Sequence, residues 1–159
     1  MEISVETALL NLMKNPSYFA GLIPVNTYTL AWTASMTNNS NALQALVPAN
    51  SISNVWPHTL TTLPWIALFQ TSGDSKARLG YSAGYKVRER HITWQVSVFS
   101  KTKDQGREIS AILDPLMTGG VPGIIYGVEQ TNDPDQYDIT PDRWHFPLRY
   151  SGSYEIQDS

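Results

Sequence analysis

The sequence predicts an α+β fold, a single domain over residues 1–159 in which a mostly antiparallel or mixed β-sheet carries helices packed on one face. Three stretches predict it. Between His91 and Leu116 the hydrophobic period switches from two to between three and four. The end of the chain alternates apolar and polar residues from Trp144 to Ile156, and its start has helical spacing. A length of 159 residues suits one domain with a real core.

In the first stretch, Ile92, Trp94, Val96 and Val98 alternate with Thr93, Gln95 and Ser97, which predicts a strand with one buried and one wetter face. Ile109, Ile112, Leu113 and Leu116 then form one helical stripe. Thr102, with Gln105 three residues on, is the start signal between them. Pro115 is expected to bend that helix before Gly119-Gly120 ends it. In the closing strand, Trp144, Phe146, Leu148, Tyr150, Tyr154 and Ile156 share one parity. Pro147 falls inside it, which predicts a sheet edge or a bulge.

Elsewhere, Val5, Ala8, Leu9, Leu12 and Met13 predict a first helix that Asn15-Pro16 stops. Residues 17–54 read as an elaboration or flexible arm packed on the core. Within them, 27–33 reads as a strand, Met36 to Asn41 as a polar loop, and 41–47 as a short helix. Trp65 to Gln70 is a core strand, Lys76 to Tyr85 a hairpin or loop with turn glycines, and Tyr85 to Arg90 a backward extension of the central strand, projecting beyond the sheet. Ile124 to Val128 is a further strand, and Asn132 to Asp138 an acidic loop.

Composition removes several functions. There is no cysteine, so disulfides, thiolate zinc sites and cysteine nucleophiles are excluded. The start lacks a secretory signal and no apolar run reaches membrane length, so a soluble protein without a membrane role is expected. His58, His91 and His145 are scattered rather than spaced as zinc ligands. The loop around Asp133 and Asp135 lacks the calcium-loop spacing, Gly119-Gly120 lacks the lysine of a phosphate loop, and no Gly-x-Ser-x-Gly elbow is present. No enzyme, cofactor or metal is expected.

Charge points instead to association. The net charge is only −3, yet eight of the eleven basic residues lie between Lys76 and Arg107. From Asp114 onward acidic residues dominate: Asp114, Glu129, Asp133, Asp135, Asp138, Asp142, Glu155 and Asp158. A basic surface on one copy meeting an acidic loop on the next makes a head-to-tail contact, which closes into a ring when the rotation permits. Lys86, Arg88, Arg90, Asp133, Asp135, Asp138 and Asp142 are the candidate interface residues. The competing readings are two solvated loops and a nucleic-acid module using Lys86, Arg88, Arg90 and Lys101.

The order of these parts resembles a known family. A short first helix precedes Val55-x-Pro57 and Leu63-Pro64-Trp65-Ile66-Ala67-Leu68. The strand Thr93 to Ser100 comes next, then the helix with Gln105, Ile109 and Leu113, an acidic connection, and an aromatic strand ending Leu148-Arg149-Tyr150-Ser151. This pattern, over roughly residues 52 to 157, is similar to the tail-terminator or tail-completion proteins of long-tailed bacteriophages, the lambda-like terminator included. Residues 17–54 depart from it as an insertion.

The resemblance implies a hexameric ring of the chain with itself on the head-proximal end of the tail tube, at the tail–neck junction of the virion, assembled in the host cytoplasm. Its other partners would be the tail tube protein, the neck or head–tail connector proteins and, on a contractile tail, the sheath. DNA would pass through the lumen without sequence-specific binding. Another head–tail joining protein, a neck adaptor or stopper, fits the same composition.

Overall fold

The computed structural model describes residues 4–55, 63–82, 85–132, 136–138 and 143–158, with side chains described over 4–55, 63–71, 91–131 and 143–154. Its sheet is built on two long strands, β3 (Tyr85–Ser100) and β6 (Arg143–Asp158), paired antiparallel from Lys86↔Asp158 to Ser100↔Trp144. On the free side of β3 lies β2 (Trp65–Ser82), also antiparallel, with the two-residue β1 (Ile52–Ser53) parallel to its start. On the free side of β6 lie β4 (Ile125–Asn132) and the short β5 (Gln136–Asp138). The order β1-β2-β3-β6-β4 is therefore a mixed, mostly antiparallel sheet, and with its helices the fold is α+β.

The stretch expected as a hairpin or loop is a long hairpin. β2 runs through Gly73 and Gly80 to Ser82, and its register shifts at Gln70/Ser72 and Ala77/Tyr81. Such bulges take up extra residues without ending a ladder. Tyr85 to Arg90 extends β3 as expected, and Lys86 to Arg90 is paired with both β2 and β6. β4 stops at Ile125↔Tyr154, so this half forms a three-stranded extension past β4.

Helix α3 (Lys103–Thr118) begins where the sequence signals it, with Thr102 Oγ1 accepting from the Gln105 N–H at 3.2 Å. Gln105 completes a looser version of the capping box, its Oε1 accepting from the Lys101 N–H at 3.4 Å. Ile109, Leu113 and Leu116 are buried, with Ile112 half-buried beside them. They pack on Ile92, Trp94, Val96, Val98, Phe146 and Leu148, which share one sheet face. The helix can lie that close because position 106 is glycine: a Cβ there would overlap the Phe146 ring. Helix α1 (Val5–Lys14) buries all five predicted residues against the same core and ends before Pro16.

Three expectations change. First, 27–33 is not a strand and 36–41 is not a loop: Thr27 to Leu46 is one helix, α2. Asn26 and Thr29 form a reciprocal capping box, each side chain accepting from the other's N–H at 2.9 Å. Helix α2 packs on α1, α3 and a 3₁₀ turn at 16–21 rather than on the sheet. It therefore needs only a narrow seam, supplied by Thr29, Trp32, Met36, Ser40 and Leu43. Its polar residues are structural. Ser40 Oγ donates to the Met13 carbonyl at 2.6 Å and Gln44 Nε2 to that of Lys14 at 2.9 Å, which satisfies the open end of α1. Phe19, Trp32, Met36, Leu43 and Val47 belong to the same buried cluster as the sheet residues, so 17–54 is packed on the core.

Second, β6 is not an edge strand, since it lies between β3 and β4. Among the described residues, β4 pairs with β6 up to Leu148 and β5 from His145, so Pro147 lies between their two ladders. At 146 and 147, β6 has no outer partner among the described residues, and a missing N–H there costs the ladder least. Third, the second face of β3 is not the wetter one, because Gln95, Ser97 and Phe99 are buried.

The Gly106–Phe146 approach gives a direct test. Gly106→Ala gains helix propensity of up to about 1 kcal/mol but forces a methyl into the ring. Net destabilisation of about 1–3 kcal/mol is expected in urea unfolding, with Phe146→Leu in the same chain recovering part of it.

Candidate assembly surfaces

The long ladder decides where the predicted interface residues fall. Lys86, Arg88 and Arg90 occupy alternate positions at the outer end of β3, opposite Asp158, Ile156 and Tyr154 on β6. On β2 their register partners are Tyr81, Ala77 and Ser75. Asp138 is in β5, opposite Arg143, so the expected acidic loop is in part a strand. Asp133, Asp135 and Asp142 lie outside the described residues.

Arg143 is level with the end of β3 at Ser100, and strands rise roughly 3.3 Å per residue, which separates Asp138 from Arg90 by about 30 Å or more along the ladder. The two ends of the sheet therefore carry Lys86, Arg88 and Arg90 on one side and Asp138 on the other. The register also dilutes the basic cluster. Asp74 pairs with His91, Glu89 with Lys76 and Glu155, and Asp158 with Lys86, so the returning end of β6 brings acidic residues alongside it.

β2 and β4 flank the described sheet. β1 covers Ile66 and Ala67 of β2, and from Ser72 to Ser82 the outer side of β2 has no strand paired to it among the described residues. No further strand is paired to the outer side of β4 from Glu129 to Asn132 among the described residues. Because successive strands from β2 to β4 alternate in direction, these two edges run antiparallel to each other. An edge is a template for another strand.

On the face away from α3, side chains form a connected polar chain. Arg149 Nε donates to Gln95 Oε1 at 3.1 Å, Gln95 Nε2 to Ser97 Oγ at 2.7 Å, and Ser97 Oγ lies 2.9 Å from His145 Nε2. The His145 ring stacks on Phe99 at 4.5 Å, and the Arg143 guanidinium sits 4.3 Å from the Phe99 ring centre. His145 is only 7% exposed, so it is a framework histidine within a satisfied network rather than a surface group. Sequence reasoning missed this network because Gln95, Ser97 and Arg149 read as ordinary solvent-facing alternation. Next to it, Thr71, Thr93, Thr131, Arg149 and Ser151 line an open cleft of about 460 Å³.

Towards α3, Trp94 stacks on Tyr150 at 5.8 Å. The Tyr150 hydroxyl donates to Asp114 Oδ1 and accepts from Gln130 Nε2, both at 3.4 Å. Trp94 Nε1 is buried without a hydrogen-bond partner. Burial first, and then the Asp114 carboxylate, hold the Tyr150 phenol well above its ordinary pKa. Among the described residues no cluster of acidic groups or histidines is placed to hold a metal ion, and no helix is long and apolar enough to cross a membrane.

No protein-family model matches the sequence, and no curated protein matches it. Among solved structures, the fold is similar to a chain in the virion of a native gene transfer agent particle, with a TM-score of 0.50 and 13% identity. The match covers 76% of this chain and 91% of that one.

The Tyr150 arrangement makes a prediction for alkaline stability. The folded state keeps a proton that the unfolded chain releases near pH 10, so the contribution is intact below that pH and is lost as pH rises above it. Ultraviolet titration of the wild type against Tyr150→Phe should show that Tyr150 stays unionised at about pH 11 until the chain unfolds. Tyr150→Phe should flatten the alkaline fall in stability and cost less than about 1 kcal/mol at neutral pH, since both of its bonds are long.

Proposed function

We propose that this chain is a structural protein of a phage-like virion that acts as a tail terminator. On this reading it forms a ring, hexameric by the family resemblance, that caps the head-proximal end of the tail tube, stops its growth and joins it to the neck. The observation that carries the reading is the likeness in fold to a virion chain over most of both lengths. The order of elements that resembles the terminators supports it, as does the opposite direction of β2 and β4, the strands that flank the described sheet. In a head-to-tail ring the β2 edge of one copy faces the β4 edge of the next, and antiparallel pairing satisfies both.

The candidate charges suit the same geometry. Lys86, Arg88 and Arg90 stand at one end of the sheet and Asp138 at the other, so in this side-by-side ring the basic residues of one copy lie at the same rim as Glu155 and Asp158 of the next, and Asp138 lies on the opposite rim. The acidic residues Asp133, Asp135 and Asp142 flank Asp138 in the sequence and are assigned to the same rim as it. The role is non-enzymatic, with the tube protein and neck proteins as partners and DNA passing through the lumen.

The test is to add purified protein to growing tail tubes. Tubes capped at the head-proximal end, with lengthening arrested, are expected. Binding to the portal side alone would make the chain a neck adaptor, and salt-sensitive binding to free DNA would make it a nucleic-acid module. The Arg88→Glu, Arg90→Glu double variant should weaken ring assembly about tenfold or more, the scale of close interfacial charge pairs. Rings of unchanged stability in native mass spectrometry would remove both arginines from the interface.

A further inference from the structure

From Asn15 to Gly73 the sequence contains no Asp, Glu, Lys or Arg, and α2 lies within this stretch. Its seam of Thr29, Trp32, Met36, Ser40 and Leu43 is taken up by the core. The opposite face presents Leu30, Ala34, Asn38, Asn41 and Ala45, all exposed and spaced to share one side of a helix. At the helix start Val25 is 77% exposed, Tyr28 68% and Leu30 61%. With Leu22 and Val55, these are the large hydrophobics exposed among the described residues. A helix of 20 residues is about 30 Å long at roughly 1.5 Å per residue. A solvated face of that length normally carries charge, whereas depletion of charge with apolar anchors marks the centre of an interface.

Charge decides what can cover it. The other helices present Glu6 and Lys14 on α1, and Asp104, Arg107 and Glu108 on α3. Pressed against α2, any of these would lose water without gaining a counter-charge, at a cost of several kcal/mol. The outward face of α2 is, among the described residues, the helical surface of this chain that brings no charge. Its shape fits itself. In an antiparallel pair about a two-fold axis, Leu30 lies opposite Ala45, a large residue over a small one, and Ala34 lies opposite Asn41. Asn38 then falls near the axis and meets its own copy. An amide both donates and accepts, so that meeting is satisfied, and a single buried Asn is a known means of fixing register.

We propose that α2 is a self-association surface, pairing antiparallel with α2 of a second copy around an axis near Asn38. The contact is isologous and separate from the head-to-tail contact of a ring, so it goes beyond the virion reading and is testable on the purified chain alone. A helix pair covers less than the roughly 800 Å² per partner of a standard interface, so masses are to be read across a wide concentration range.

Dimers, or twelve copies where rings also form, are expected for the wild type in native mass spectrometry and light scattering. Leu30→Glu should shift the chain to monomers, or to single rings, at every concentration where the wild type pairs, with circular dichroism checking its fold. Because the chain has no cysteine, Asn38→Cys is a clean second probe. It should cross-link to itself under mild oxidant, while Glu108→Cys on the exposed side of α3 should not. Wild type without two-fold pairing at any concentration, pairing unchanged in Leu30→Glu, or failure of Asn38→Cys to cross-link would each overturn the proposal. So would protection of the introduced thiol from alkylation by tail tubes alone, which would give the face to the tube protein. None of these results bears on whether the protein caps tubes.

Discussion

Pairing of β3 with β6 along nearly their whole lengths is the constraint on which the rest depends. β6 comes at the end of the chain and β3 in its middle, so α3, β4 and β5 must be accommodated between them. The chain does this by sending α3 across one face immediately after β3, stopping it at Gly119 and Gly120, and bringing β4 back onto the far side of β6. Gly120 has φ +59° and gives its carbonyl to Trp32 Nε1 at 3.1 Å, so the turn that frees the chain to return also anchors α2. A contact this long in sequence is costly to close. What offsets it is the double row of apolar residues the ladder brings together, with Trp94 stacked on Tyr150 at its centre.

How legible each element was in the sequence depends on which partner its residues have. α1, β3, α3 and β6 bury broad faces against the sheet or form it, so their periods are strong, and the cap at Thr102 and the stop at Gly119-Gly120 are local chemistry. Helix α2 rests on other helices and needs one buried position per turn. Most of its remaining positions are Ala, Ser, Thr and Asn, residues that read as loop when taken locally. The signals that identify it are the Asn26–Thr29 capping reciprocity and the three- and four-residue spacing from Thr29 to Leu43. The edge assignment of β6 failed for a comparable reason. Pro147 reports that one N–H is unneeded at one position, and an interior strand can supply such a position between the ladders of two successive outer strands.

The candidate charges were legible as a cluster along the chain but not as a field in space. Folding returns Glu155 and Asp158 beside the basic half of β3, and places Asp138 at the far end of the same ladder. Basic surface for a nucleic acid would have to survive those acidic neighbours. A contact between copies gains from the same interleaving, because alternating signs give register as well as attraction. The missing charge between Asn15 and Gly73 was visible in the sequence and is the more informative half of the pattern.

Open edges and an uncharged helix face pose one physical problem from two directions. Among the described residues, a lone copy presents the outer sides of β2 and β4 as sheet edges and apolar side chains at the start of α2, and both invite indiscriminate association. The two surfaces differ in what can satisfy them. Backbone edges of opposite direction are met by a neighbour in the same orientation, which propagates around a ring and ends when it closes. An uncharged helix face that matches itself is met by a copy turned through a half-rotation, and that contact ends at two. A chain carrying both has finite ways to cover its exposed surface.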